Sequence, residues 1–349
     1  MLRRMANGWR SVNPPNKRDC GIAHHRISNY AYILRLNALA GRTLHDISHY
    51  PVLPWVLSNY HSSTPPDLSD PSNFRTLSKP MGALDSHRLD KFIKKYHSLS
   101  GSNTEEDSGT AFMYGSHYST GGGVVLHYLV RVEPFSTLHR TLHGQSFDVP
   151  DRLFSSIENT WRQCSRDSPT EVKELTPEWF TDPRFLECNP NLNLGRRING
   201  EIVRDVELPP WANSPLGFTQ TNARALESDV CSNALHEWLD LIFGEKQRGQ
   251  KAKRAMNLFH HLTYVDCEAD WEILRECGEE EWGSEAKDWW PSADFGRCPG
   301  QLFMTAHPKK KRKKRKKKSG DGYTRSLIDI RVIYHPGHAF IFHLSNKYV

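Results

Sequence analysis

Residues able to do chemistry occur at several points in the chain, and their spacing decides what each can do. Phe112-Met-Tyr-Gly-Ser-His-Tyr-Ser-Thr-Gly-Gly-Gly123 sets Ser116 and His117 beside a glycine run. A phosphate-cradling loop needs its final glycine followed by Lys and then Ser or Thr, and Gly123 is followed by Val124. A hydrolase elbow needs G-x-S-x-G, whereas Ser116 directly follows Gly115. The stretch reads instead as a tight turn feeding the apolar helix 124–130, with an enzyme built on Ser116 and His117 kept as the rival class of function. His236-Glu-Trp-Leu-Asp240 opens like a zinc-binding helix, but an Asp stands where the second His is required. It reads as an ordinary amphipathic helix with polar outer positions. His260 and His261 are adjacent in a predicted helix and so point about 100° apart, the wrong geometry for chelating one ion. His24 and His25 lie in a loop with no identifiable partner, and no two carboxylates are paired in a protected setting. No catalytic constellation, metal site or cofactor site is read from these residues.

The elements around them are dominated by one unusual stretch. Tyr50-Pro-Val-Leu-Pro-Trp-Val-Leu57 is almost wholly apolar, and its two prolines remove backbone donors and push Tyr50 and Leu53 toward extended geometry. Trp55 and its neighbours bury too much apolar area to stay in water, at roughly 1.5–3 kcal/mol per large side chain. The segment is therefore expected to thread through a core walled in by helices. Leu208-Pro-Pro-Trp211, at the end of the irregular region 173–213, repeats that character, and Thr176-Pro177-Glu178 suits a single helical turn. The fold class expected is mainly α, helices around extended segments with little regular strand, and Asn37, Trp55, Trp211 and Trp238 are expected in its core.

Helical signal begins at Ser28, an N-cap, with Ile27 as a staple and Gly41 as the C-terminal stop. Tyr30, Ile33, Leu34 and Asn37 fall on one face, so Asn37 needs buried hydrogen-bond partners. Leu89, Phe92, Ile93 and Tyr96 mark a second helix before the polar loop 98–110. Asp148-Val-Pro-Asp151 opens a third, with Leu153, Ile157 and Trp161 on one face. Leu235, Trp238, Leu239, Ile242 and Phe243 give a fourth that stops at Gly244, and Ala252, Met256, Phe259 and Thr263 a fifth. Residues 10–26 read as a loop and 266–288 as an acidic surface loop. Alternation over 328–334, followed by Pro336-Gly337, suggests a short C-terminal β-hairpin, marginal unless it docks elsewhere.

The net charge of +6 is carried by one run: Lys309, Lys310, Lys311, Arg312, Lys313, Lys314, Arg315, Lys316, Lys317 and Lys318. Without these ten, 36 basic residues face 40 acidic ones, a net of −4, so the body is not expected to bind nucleic acid. The run resembles a nuclear localisation signal and equally suits anionic lipid headgroups or nucleic acid. Seven cysteines without a C-x-x-C pair predict reduced thiols. No apolar run is long enough to span a membrane, and the N-terminal residues lack the apolar stretch of a secretory signal. A cytoplasmic chain is expected, with peripheral membrane association, and a nuclear one as the alternative.

The order of motifs resembles a known family. Asn37-Ala-Leu-Ala-Gly-Arg42, Tyr50-Pro-Val-Leu-Pro-Trp-Val56 and Leu77-Ser-Lys-Pro-Met-Gly82 are similar to the start of a BEACH domain. Tyr114-Gly-Ser-His-Tyr-Ser119, Phe147-Asp-Val-Pro-Asp-Arg-Leu-Phe154, Leu208-Pro-Pro-Trp-Ala212, Leu235-His-Glu-Trp-Leu-Asp-Leu-Ile-Phe-Gly244 and Lys246-Gln-Arg-Gly249 continue the match, and Phe295 to Pro308 resembles the closing segment. The resemblance implies a non-catalytic scaffold in vesicle trafficking, lysosome-related organelles, autophagy or receptor signalling, with proteins as partners. Among these would be a pleckstrin-homology-like domain packed ahead of it and a WD-repeat propeller behind. The motif residues Tyr118, Asp151, Arg152, Lys246, Gln247 and Arg248 are the positions it suggests for protein contact. The expected organisation is an irregular extension over 1–26, the BEACH domain over 27–308, a polybasic linker over 309–318 and an unassigned tail over 319–349. The sequence before Trp9 and the 41 residues after Pro308 are too short for the two flanking domains. An apolar docking face left uncovered, favouring oligomerisation or poor solubility, is accordingly expected.

Overall fold

The computed structural model describes residues 27–100, 111–264 and 296–310. All of these lie in the first of two compact units, residues 1–310. The expectations for His24 and His25, for the acidic segment 266–288, for most of the loop 98–110 and for the C-terminal hairpin fall outside the described residues, as do those for Lys311 to Lys318.

Helix α1 spans Asn29–Leu39, and the Ser28 hydroxyl caps it by accepting the Ala31 N–H at 3.1 Å. Gly41 follows with φ of +81°, the left-handed geometry that ends a helix and that a Cβ disfavours. Helix α2 spans Ser86–Ser100, longer than its apolar pattern suggests, so residues 98–100 are helical. A π-helical turn, Gly121–Leu126, runs into the short helix His127–Leu129, so the glycine run does feed a buried helical segment. The remaining α-helices are α3 (Phe135–Leu142), α4 (Ile157–Arg162), α5 (Glu178–Thr181), α6 (Pro215–Glu227), α7 (Asp229–Ile242) and α8 (Gly249–Arg254).

Among the described residues, extended chain meets extended chain only at isolated bridges, with no sheet. Leu53 pairs with Leu175 through two backbone hydrogen bonds of 2.9 Å, and Leu57 bridges Phe74. The segment 50–57 thus runs between residues 172–176 on one side and 73–75 on the other. Every residue from Tyr50 to Leu57 is buried. Trp55 and Trp238 are fully buried and Trp211 is 4% exposed, as the apolar pattern requires.

Such a segment has backbone groups that no neighbouring strand satisfies, and side chains take over that task. Asn37 is fully buried on α1; its amide donates to the Val52 carbonyl and accepts the Val52 N–H, both at 2.9 Å, as a strand partner would. Asn37→Ala is expected to cost about 1–3 kcal/mol, because two backbone groups lose their partner inside the core. Chemical denaturation followed by tryptophan fluorescence checks this; a change within about 0.5 kcal/mol, typical of a surface site, would reject it.

The structure corrects several local readings. The buried face of α1 comprises Asn29, Tyr32, Ile33, Leu36 and Asn37, while Tyr30 and Leu34 are only half-buried. The stripe rotates because Asn29 is drawn inward, its amide donating to the Leu226 carbonyl at 2.7 Å and to the Ser232 hydroxyl at 2.8 Å. Asp148–Asp151 does not open a long helix: Pro150–Arg152 is one 3-10 turn, Leu153 turns extended, and α4 starts afresh from its Ser156 cap. Leu153 instead joins a separate small cluster with Val130, Leu194 and Val203. The helix after Gly249 stops at Arg254, and Met256 takes a left-handed φ of +54°. Asn257 causes the break, its amide donating to the carbonyls of Leu241 at 2.9 Å and Lys246 at 3.0 Å. His260 and His261 therefore do not share a regular helix, and their rings lie 4.3 Å apart. Helix α6 has no counterpart in the apolar pattern.

Candidate functional site

The interior is organised by a carboxylate that the sequence did not single out. Glu174 is 3% exposed, in the extended stretch beside 50–57. It accepts from Arg75 Nη1 at 2.6 Å, from the Trp55 backbone N–H at 3.1 Å and from Trp238 Nε1 at 3.1 Å. One side chain thereby ties the two extended segments to α7. Three more buried arginines hold backbone by its carbonyls, most of these in extended chain, while the Cys164 carbonyl taken by Arg88 lies in the π-helical turn Gln163–Asp167. Arg42 reaches the carbonyls of Tyr50, at 2.6 Å, and Arg297. Arg88 reaches those of Cys164 and Glu171, and Arg131 grips the Arg204 carbonyl with two nitrogens at 2.9 and 2.7 Å. A guanidinium offers five donors in a fixed fork, which suits it to chain that lacks a strand partner. Nothing in a single sequence distinguishes such an arginine from a solvent-exposed one, apart from its apolar, proline-rich neighbours.

These polar groups are committed to structure, and so is His117 of the pair Ser116 and His117. Ser116 is exposed, whereas His117 is buried with Nδ1 3.2 Å from the Ser119 hydroxyl. Its ring lies against Tyr118, and burial holds its pKa well below the ordinary imidazole value. The two side chains do not form a nucleophile–base pair. A cavity bordered by Gly82, Tyr114, Tyr118, Glu174 and Asn257 has room for about one water molecule. Among the described residues no group of three or more His, Cys, Asp or Glu is placed to hold a metal ion.

Of the motif residues, Tyr118 is 4% exposed and packs on Phe259, with its carbonyl accepting the Glu174 N–H at 3.0 Å, so its ring faces the interior. Gln247 is 2% exposed and structural as well: its amide donates to the carbonyls of Ile242 and, at 2.8 Å, of Pro299. Lys246 and Arg248 flank it half-exposed, Arg248 over the ring of Tyr264. Asp151 and Arg152 are exposed on the short 3-10 turn; Asp151 accepts the Ile198 N–H at 3.1 Å and Arg152 pairs with Asp148. Ile198, at a turn tip, is 91% exposed, and Val149 and Ile202 are also exposed. Surface-available motif residues thus form two groups, Asp151 with Arg152 and Lys246 with Arg248, without a described contact joining them.

The closing strap 296–310 returns to the body along α7. Asp240 is buried there, not on the outer face expected of it, and its carboxylate accepts the His307 N–H at 2.7 Å. His307 Nε2 lies 2.7 Å from the Tyr32 hydroxyl, and Lys310 donates to the Asn29 side-chain oxygen at 2.9 Å. Burial raises the Asp240 pKa to about 6 and lowers that of His307 to about 4. Because the folded pKa of Asp240 lies above its unfolded value, its ionisation costs stability above about pH 6 and costs nothing below the unfolded value. Asp240→Asn keeps an acceptor for His307 and is expected to stabilise the protein by about 1–2 kcal/mol at about pH 8. The gain disappears as the pH falls toward about 4; thermal melts across that range check the sign.

A model of the Beige/BEACH domain matches residues 22–310. Over 284 residues the chain is 46% identical to putative neurobeachin homologs of Caenorhabditis briggsae and Caenorhabditis elegans, covering 81% of this chain and 11% of each relative. Over 288 residues it is 45% identical to BEACH domain-containing protein B of Arabidopsis thaliana, covering 81% of this chain and 10% of that protein. The chain belongs to the BEACH-domain family. It spans about a tenth of the length of the curated relatives it matches. No helix among the described residues is long and apolar enough to cross a membrane.

Proposed function

We propose that this chain is a non-catalytic scaffold, a protein-interaction module over residues 27–308 that acts in vesicle and membrane trafficking. The observation that carries the reading is the use made of its polar residues. Arg42, Arg75, Arg88, Arg131, Glu174 and Asn37 are buried and committed to holding backbone or one another, while the charged motif residues left at the surface are Asp151, Arg152, Lys246 and Arg248. Such an arrangement presents charged and apolar surface to another protein and offers little to a small substrate. A pleckstrin-homology-like domain is among the partners proposed. The site of action is the cytoplasm, with peripheral membrane contact.

Affinity capture from cytosol with the intact chain tests this, set beside the variant D151K/R152E/K246E/R248E. Proteins of vesicle traffic are expected with the native chain and lost with the variant at unchanged melting temperature. An identical set of captured proteins from both, or turnover of a small molecule by the purified chain, would overturn the reading. The ten-cation run supports a second reading, nuclear delivery. Imaging with residues 309–318 replaced by neutral ones decides it, because an unchanged distribution removes that role.

A further inference from the structure

The body carries little net charge of its own, yet its cations are not evenly spread. Helix α2 exposes Lys91, Lys94 and Lys95, and α8 exposes Lys253 and Arg254. The two helices meet where the Lys253 ammonium sits over the ring of Tyr96, 4.8 Å from its centroid. Lys95 is held in the same way, 4.1 Å from the centroid of Phe112. None of these five cations takes part in a salt bridge among the described residues, even though Asp90 stands one helical turn before Lys94. The neighbouring Lys251 is already neutralised by Glu245 at 2.6 Å. Lys91, Lys95 and Leu99 follow one another at successive turns of α2, and Leu99 is 42% exposed.

We propose that this face of α2 and α8 docks on an anionic membrane surface, independently of the basic run 309–318. Charge complementarity argues for a polyanion, and three features argue for lipid. Four of the five cations are lysines, point charges without the bidentate fork that reads a single phosphate or carboxylate. They stand on the outer sides of helices and line no groove, which suits a plane of headgroups. The exposed Leu99 completes the stripe with an apolar side chain able to enter the headgroup boundary. The proposal does not depend on which proteins the module binds.

The test uses the full chain with residues 309–318 changed to glutamine, so that the basic run cannot contribute. This protein is expected to co-sediment with vesicles containing phosphatidylserine and not with pure phosphatidylcholine, and to be released by salt within the range that screens surface charge. Adding K91Q, K94Q, K95Q, K253Q and R254Q is expected to lower the partition coefficient at least ~100-fold, each cation at a membrane surface contributing about fivefold. Arginine at the four lysine positions is expected to keep binding, which separates charge from damage to the fold. Equal sedimentation with both vesicle types, or binding untouched by the five substitutions, would overturn the proposal. So would tighter salt-matched binding of this face to an acidic peptide or a DNA duplex than to the vesicles.

Discussion

Glu174→Ala is expected to lower the free energy of unfolding by about 3–5 kcal/mol, the usual cost of removing one partner from a buried ion pair. The loss is large because three donors depend on this carboxylate: the Arg75 guanidinium, the Trp55 backbone N–H and the Trp238 indole. With the carboxylate gone, a positive charge remains in the core without compensation. The double variant R75M/E174M removes that charge as well and, in a cycle with the native protein, R75M and E174M, is expected to lose less than the sum of those two single variants. Urea denaturation of the four proteins completes the cycle. A Glu174→Ala midpoint matching the native one would show that the Glu174 carboxylate does not hold the extended segments.

Trp179→Ala is expected to cost a comparable ~3–5 kcal/mol for a different reason. Its fully buried ring touches five aromatic neighbours: Trp55, Tyr128, Phe154, Phe185 and Phe218 have ring centroids 4.9 to 5.9 Å away. Removing it opens a cavity at the junction of α5, α6 and the extended segment. The indole N–H of Trp179 makes no hydrogen bond among the described residues, whereas that of Trp55 donates to the Lys173 carbonyl at 2.9 Å. Trp179→Phe is therefore expected to be milder than Trp55→Phe, by roughly the 0.5–1.5 kcal/mol of one hydrogen bond. The opposite ranking in denaturation midpoints would reject this account of the cluster.

Much of this core was legible in the sequence because its signals are local. Proline beside Trp55, Val56 and Leu57 declares a buried, extended segment, and an Asn on an apolar helical face declares a buried amide. Ser28 announces α1, and Gly41 its end. The Arg75–Glu174 pair was not legible, because its members stand 99 residues apart and either could as well be a surface charge. Helix α6 escaped because Thr219, Thr221 and Asn222 occupy buried positions where the apolar period would be looked for. Its Ser214-Pro215 start was a usable signal, since Ser214 caps the helix by accepting the Gly217 N–H. Tyr118 and Gln247 show the limit of motif reasoning. A residue within a motif can serve packing as readily as contact, and both of these point inward.

The salt-free contact between Lys310 and Asn29 has a geometric consequence for a domain that matches only a small part of its relatives. Asn29 is also held by Glu227, whose carboxylate accepts the Asn29 N–H at 2.9 Å, so both described ends meet at one hydrogen-bonded corner. Entry and exit of the domain therefore share a doorway. With its described ends at one corner, such a domain can sit within a long chain as a closed loop that adds little to its span.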